Sequence, residues 1–204
     1  MEEKIKSRLD DYLEFDSEQL FRLQHNLIRI FGGAIRDSIC DEPINDVDIL
    51  CGSKSVLYLQ SVLERNGYCF MESLNGKDIQ EMYSDIHVIN EPHTWVKGKK
   101  IIQLIRPSFG HGQDAHTYKS GFQDLIANVD ISCCGVSWDG HILNEDYANS
   151  IVHCQNKVFS VNSFAKMYSP KRIQHRKKKF LNRGWKEITN DPSINRDLKL
   201  NILC

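Results

Sequence analysis

A chain of 204 residues with 26 basic and 27 acidic side chains, net charge −1, has material for one domain, or one domain with an appendage, and no overall attraction to a polyanion. No stretch is apolar enough to span a membrane, and the charged opening Met-Glu-Glu-Lys-Ile-Lys lacks the apolar run of a secretory signal, so a cytoplasmic protein is expected. Seven cysteines, odd in number and without a Cys-x-x-Cys pair, read as reduced thiols and argue against structural zinc.

In chain order, Leu20, Phe21 and Leu23 predict a short helix over residues 17–25 that packs on a sheet. Residues 27–31 form a short apolar run, read as a strand, and residues 34–39 open a helix. Between them Gly32 and Gly33 let the backbone approach a phosphate and present amides at a helix N-terminus. The next strand contains Asp46-Val47-Asp48-Ile49-Leu50. Side chains alternate along a strand, so Asp46 and Asp48 share one face while Val47 and Ile49 serve the core. Two parallel carboxylates suit Mg²⁺ or Mn²⁺, which take oxygen ligands from one or two carboxylates plus substrate phosphates.

Further on, Leu57, Leu59, Val62 and Leu63 predict an amphipathic helix over 56–64, stopped by Asn66-Gly67. Residues 68–71 read as a strand, and 86–89 and 101–105 as β-rich stretches separated by a turn-like segment around Pro92 and Lys97-Gly98. Residues 106–121, with Pro107, three glycines, His111 and His116, have no clean period and read as a surface loop whose histidines have no catalytic task. Residues 135–140 read as a strand and a turn.

The order apolar residue, Gly32, Gly33, two variable positions, Arg36, Asp37, then Asp46 and Asp48 on the next strand resembles the head domain of class II tRNA CCA-adding enzymes and bacterial poly(A) polymerases, in the DNA polymerase β nucleotidyltransferase superfamily. The expected fold is α+β, a mixed β-sheet with helices packed mainly on one face, with a nucleotidyltransferase domain over 1–157 and a short basic helical extension over 158–204. The resemblance implies transfer of a nucleoside monophosphate from a nucleoside triphosphate to a hydroxyl, with release of pyrophosphate. It makes Asp46 and Asp48 ligands for Mg²⁺ or Mn²⁺, and puts Gly32, Gly33, Arg36 and Asp37 at the nucleotide. Arg36 either contacts phosphates or forms a structural ion pair with Asp37, whose own task is orientation.

The superfamily usually adds a third carboxylate, and the candidate is Asp130 in Val129-Asp130-Ile131. The match departs at Asn128 and Val129, where the family has arginines, and at Cys134, where it has Asn. The rivals are Asp85 and a simple hydrogen-bonded carboxylate at a strand end. Gln103 stands where relatives often carry an acid, and an amide there cannot act as a base.

The charge is unevenly spread, because residues 147–186 hold ten Lys or Arg and no acid. Clustered cations of this kind bind phosphates by releasing counterions, so residues 171–186 are expected to meet RNA or a triphosphate, while a solvated helix face is the plainer reading. Ser169-Pro170-Lys171-Arg172 partly resembles the family's nucleotide-selecting helix. Arg172 takes the arginine place, as a base or phosphate contact, and Tyr168 and Ser169 replace the acidic pair, which leaves the donor nucleotide open. A chain ending at Cys204 leaves little room for a surface that measures a tRNA, which weighs against CCA addition itself. The expected acceptor is an RNA 3′ end, with a small molecule or a protein side chain as alternatives. A nucleotide- or RNA-binding module that has lost turnover, or that needs a partner to be active, stands as the other class.

Overall fold

A computed structural model describes residues 1–23, 28–71, 93–106, 126, 129–162 and 169–188. The helix α1 (Glu2–Leu13) opens the chain with Glu2 and Glu3 in its first turn, where acids complement the helix dipole. Its Ile5, Leu9 and Leu13 recur every four residues and are fully buried. The helix predicted over 17–25 is a 3₁₀ turn, Ser17–Phe21, in which the Asp16 carboxylate accepts the Glu18 N–H at 3.1 Å. This local capping of a five-residue segment favours the tighter turn. Residues 24 and 25 lie outside the described residues.

Strand β1 (Ile28–Phe31) runs into α2 (Gly33–Ile39), followed by β2 (Val47–Cys51), α3 (Ser53–Arg65) and β3 (Cys69–Met71). Helix α3 buries Val56, Leu59, Val62 and Leu63 and ends at Asn66 and Gly67, as its periodicity predicts, although Leu57 points to solvent. The segment expected as turn-like around Lys97-Gly98 is the bend of a hairpin between β4 (His93–Lys97) and β5 (Lys100–Ile105). The stretches at 86–89 and 107–121, and with them Asp85, His111 and His116, lie outside the described residues.

The chain continues through β6 (Val136–Trp138), β7 (Leu143–Glu145), α4 (Ser150–Gln155), β8 (Val158–Phe159), α5 (Pro170–Asn182) and β9 (Lys186–Glu187). Among the described residues seven strands form one mixed sheet in the order β3-β4-β5-β2-β1-β6-β7. Only the β2–β5 pair is parallel. Ile28 and Ile30, Val47 and Ile49, and Ile102 and Leu104 point from the central strands into one apolar cluster with residues of α1 to α5. The fold is therefore α+β with helices packed on one face of a mixed sheet, as expected. Phe180 and Trp185, near the end of the basic helix, belong to this same cluster, and β9 pairs with β8 in parallel.

No helix among the described residues is long and apolar enough to cross a membrane.

Candidate active site

The central strands place the acids. In β2, Asp48 sits opposite Phe31 of β1 on one side and Gln103 of β5 on the other, while Asp46 lies one residue before the strand and is exposed. The bend that follows β1 has Gly32 at φ +68°, ψ −121°, a conformation open to glycine and costly for other residues. The Gly32 N–H donates to Val136 O at 3.0 Å, which ties the bend to β6. Gly33 then starts α2, and a Cβ added to it would lie 3.9 Å from Asp46 Oδ1 and 3.7 Å from an Arg36 guanidinium nitrogen. The acids and the glycine bend thus meet at one place.

Asp48 is electrostatically out of balance. Its Oδ1 is buried and has no hydrogen-bond partner among the described residues. Burial, and next the Asp46 carboxylate, push its pKa up to about 7, against the pull of Arg176 and Lys179 from α5. A carboxylate normally avoids such a position, because an unpaired buried charge is costly unless a cation or donor arrives. Asp46 and Asp48 therefore offer a divalent cation one exposed and one half-buried ligand, a donor set of hard oxygens that suits Mg²⁺ or Mn²⁺ completed by phosphate oxygens. Among the described residues no group of three His, Cys, Asp or Glu side chains is close enough to hold an ion by itself.

The other predicted residues are paired with protein groups. Arg36 is buried, with its guanidinium 2.7 Å from Asp37 Oδ1, and its Nη1 donates to Cys134 Sγ at 3.2 Å. It also stacks 4.9 Å from the Phe180 ring centroid and 5.9 Å from that of Trp185. The ion pair with Asp37, one of its two expected roles, is present. Asp37 also accepts from Arg183 at 2.8 Å. Asp130, 2% exposed, lies 3.1 Å from Arg176 Nε and 3.4 Å from Arg172 Nε. The structure thus brings Asp130 to two arginines of α5. Helix α5 begins as its sequence predicts, with Pro170 in the first turn and the Ser169 hydroxyl accepting the Arg172 N–H at 3.3 Å.

Sequence reasoning named Cys134 only as a departure from the family and Arg176, Lys179 and Arg183 only within the basic segment, and it did not name Glu42. Cys134 is a buried sulfur that accepts from Arg36 and, at 3.4 Å, from Arg176. The Cys133 thiol donating to it, and next these two guanidiniums, hold its pKa below the usual thiol value despite burial. Glu42 accepts from Arg183, from Lys157 at 2.9 Å and from Trp185 Nε1 at 3.3 Å. The signal for Arg176 was its i+4 spacing from Arg172, which puts both on one helix face. Of the cations in α5, Arg172 and Arg176 turn inward, whereas Lys171, Lys178 and Lys179 are exposed.

No family model matches the sequence, and comparison with curated proteins gives no match. Solved structures do match. A CCA-adding enzyme in its apo form aligns with 98% of this chain and 44% of its own at a TM-score of 0.64 and 12% identity. A CCA-adding enzyme in complex with CTP aligns at 0.63 and 13% identity, over 98% of this chain and 45% of its own. The Thermotoga maritima CCA-adding enzyme complexed with tRNA aligns at 0.59 and 12% identity, over 95% of this chain and 42% of its own. The chain thus spans less than half the length of these structures. At such identities the likeness speaks for architecture, and the chain carries the nucleotidyltransferase-like fold of a head domain.

Proposed function

We propose that the chain is a metal-dependent nucleotidyltransferase that moves a nucleoside monophosphate from a nucleoside triphosphate to a hydroxyl, with an RNA 3′ end as the favoured acceptor. The observation that carries this reading is the buried, unpartnered oxygen of Asp48 beside a glycine bend that opens onto Asp46. Solved relatives of the fold include CCA-adding enzymes in complex with ATP, with CTP and with tRNA, which supports a triphosphate donor and an RNA acceptor.

In this reading Asp46 and Asp48 hold Mg²⁺ or Mn²⁺, which when bound would neutralise the triphosphate and the departing pyrophosphate. The amides of Gly33 and the first turn of α2 face the phosphates, and the missing side chain at Gly33 leaves room for them beside Asp46. Lys178 and Lys179 add mobile positive charge at the outer edge. The acceptor oxygen forms a bond to the α-phosphorus, the bond from that phosphorus to the bridging oxygen breaks, and pyrophosphate leaves with the electron pair while the hydroxyl proton passes to solvent. Catalysis on this account is positioning and charge neutralisation with no covalent intermediate. Asp130 enters as the acid that holds α5 over the site through Arg172 and Arg176. Arg36 and Asp37 fix the back of the bend, and the Arg172 charge reaches the nucleotide only from within its pair with Asp130.

The pairing of Asp130 with arginines favours one competing reading, a binding module without turnover. Incubating the purified chain with each α-³²P-labelled triphosphate, Mg²⁺ or Mn²⁺ and total RNA separates the two. A labelled RNA product, lost on removal of the cation, is expected. Metal-dependent triphosphate binding with no labelled product in any combination would leave the module.

A further inference from the structure

Against the segment that leads into Asp46, on the side of α1, lies an open hollow of about 310 Å³ lined by Arg8, Asp11, Tyr12, Ile44 and Lys100. Its volume is at the small end of the range for ligand sites. Arg8, Asp11 and Tyr12 fall at i, i+3 and i+4, so one face of α1 presents them together, away from its buried Ile5, Leu9 and Leu13.

The hollow is a built feature. The Tyr12 hydroxyl donates to Asn45 O at 2.8 Å and accepts the Ile101 N–H at 2.9 Å, which fixes the half-buried ring against the residue just before Asp46. Arg8 reaches the Glu42 carbonyl and stands 3.6 Å from Asp41, while its Nε is buried and has no hydrogen-bond partner among the described residues. Lys100 stands 5.9 Å from the centroid of the Tyr12 ring and pairs with Glu14 outside the hollow. The lining therefore combines an aromatic ring, an apolar Ile44, two cations and one acid.

We propose that this hollow is the acceptor subsite and takes one nucleotide unit, its base against the ring of Tyr12 and its phosphate at Arg8 and Lys100. The inference rests on the nucleotidyl-transfer reading and deepens it. Gly33 of the glycine bend, where the triphosphate belongs, lies against Asp46, and Tyr12 of the hollow holds Asn45, the residue before it, so donor and acceptor would meet at Asp46. A flat ring with adjacent cations is the combination by which proteins hold nucleotides without reading their sequence, since every base has a face to stack and every unit a charge to neutralise.

Binding is measured by fluorescence anisotropy with a labelled, 5′-phosphorylated hexaribonucleotide, and by competition with uridine monophosphate, in the absence of triphosphate and divalent cation. Tyr12→Ala and Arg8→Gln are each expected to weaken binding about tenfold, the loss of one stack or one phosphate contact, while Tyr12→Phe, which keeps the ring, stays near wild type. Circular dichroism checks that each variant is folded. Tight hexamer with weak monophosphate names a strand end as the ligand, and comparable binding of both names a free nucleotide unit. A hexamer ending in 5-bromouridine should photo-crosslink to the peptide containing Tyr12. Unchanged affinity in folded Tyr12→Ala and Arg8→Gln, or a cross-link confined to residues 169–188, would overturn the assignment. Because no triphosphate is present, this outcome leaves the transfer reading standing, and a failed transfer assay leaves this one testable.

Discussion

The basic helix α5 and the acidic start of β2 differ in how their charges are partnered. Around the basic helix α5, Arg172 and Arg176 face Asp130, Arg183 faces Asp37 and Glu42, and Arg36 faces Asp37 and the Cys134 sulfur, so these inward guanidiniums each meet an acid. At the start of β2, Asp48 has a buried oxygen with no partner among the described residues, and Asp46 stands exposed beside it. Paired buried charge fixes a structure, whereas unpaired buried charge is a standing cost that a ligand can remove. In the proposed reading, chemistry belongs to the acids and architecture to the helix.

The largest effect that can break this comparison is on turnover. Asp46→Ala or Asp48→Ala should lower nucleotidyl transfer by about 10²-fold or more, because a lost ligand removes charge stabilisation of several kcal/mol. Asp48→Asn should at the same time raise the melting temperature by about 2–4 °C, the equivalent of roughly 1 kcal/mol in a chain of this size. The sign follows from linkage. A carboxyl whose pKa is raised to about 7 on folding binds its proton more tightly in the folded state, so its contribution is full below its unfolded value and is lost as pH rises through 7. The stability gain of Asp48→Asn over wild type should therefore grow from pH 5 to pH 8, measured by thermal melts without divalent cation.

The paired side of the contrast predicts the reverse pattern. Asp37→Ala strands the buried Arg36 and removes a partner of Arg183, at a cost of about 3–5 kcal/mol. Denaturant melts should show this loss, and proteolysis within residues 169–188 should accelerate as α5 loosens. Gly33→Ala separates shape from stability, because the new methyl meets only ordinary contacts at 3.7 and 3.9 Å and φ at Gly33 is unstrained. It should fold normally yet raise the triphosphate KM about tenfold by filling the space beside Asp46, an effect of about 1.4 kcal/mol. Gly32→Ala at φ +68° should instead lose about 1–3 kcal/mol of stability. The smallest effect is on the helix surface, where Lys178→Gln with Lys179→Gln should weaken RNA binding a few-fold and flatten its salt dependence by about two charges.

The glycine bend and the acidic strand were legible because each depends on near neighbours in the chain, such as Gly32 at positive φ and alternation along β2. Helix α1 was not anticipated, since its apolar signal is three residues among many charges, although Ile5, Leu9 and Leu13 do carry the helical spacing. Strand β4 was hidden in a segment dominated by its turn, while His-Thr-Trp-Val-Lys before Lys99 and Lys100 carries the β-branched and aromatic signal of a hairpin arm. The pairings of Asp130, Arg172 and Arg183 could not be read at all. Their partners lie far away in sequence, with Arg172 and Asp130 separated by 42 positions and Arg183 and Asp37 by 146. Only packing decides which charge meets which.

The most direct test of the account is Mn²⁺ binding followed by electron paramagnetic resonance, with a non-hydrolysable triphosphate analogue, on wild type, Asp46→Asn and Asp48→Asn. Wild type should capture Mn²⁺ together with the analogue at pH 8, with affinity falling about tenfold per pH unit below 7 as the Asp48 proton competes, and both variants should fail to capture it. Mn²⁺ and analogue bound equally well by wild type and both variants would contradict the account.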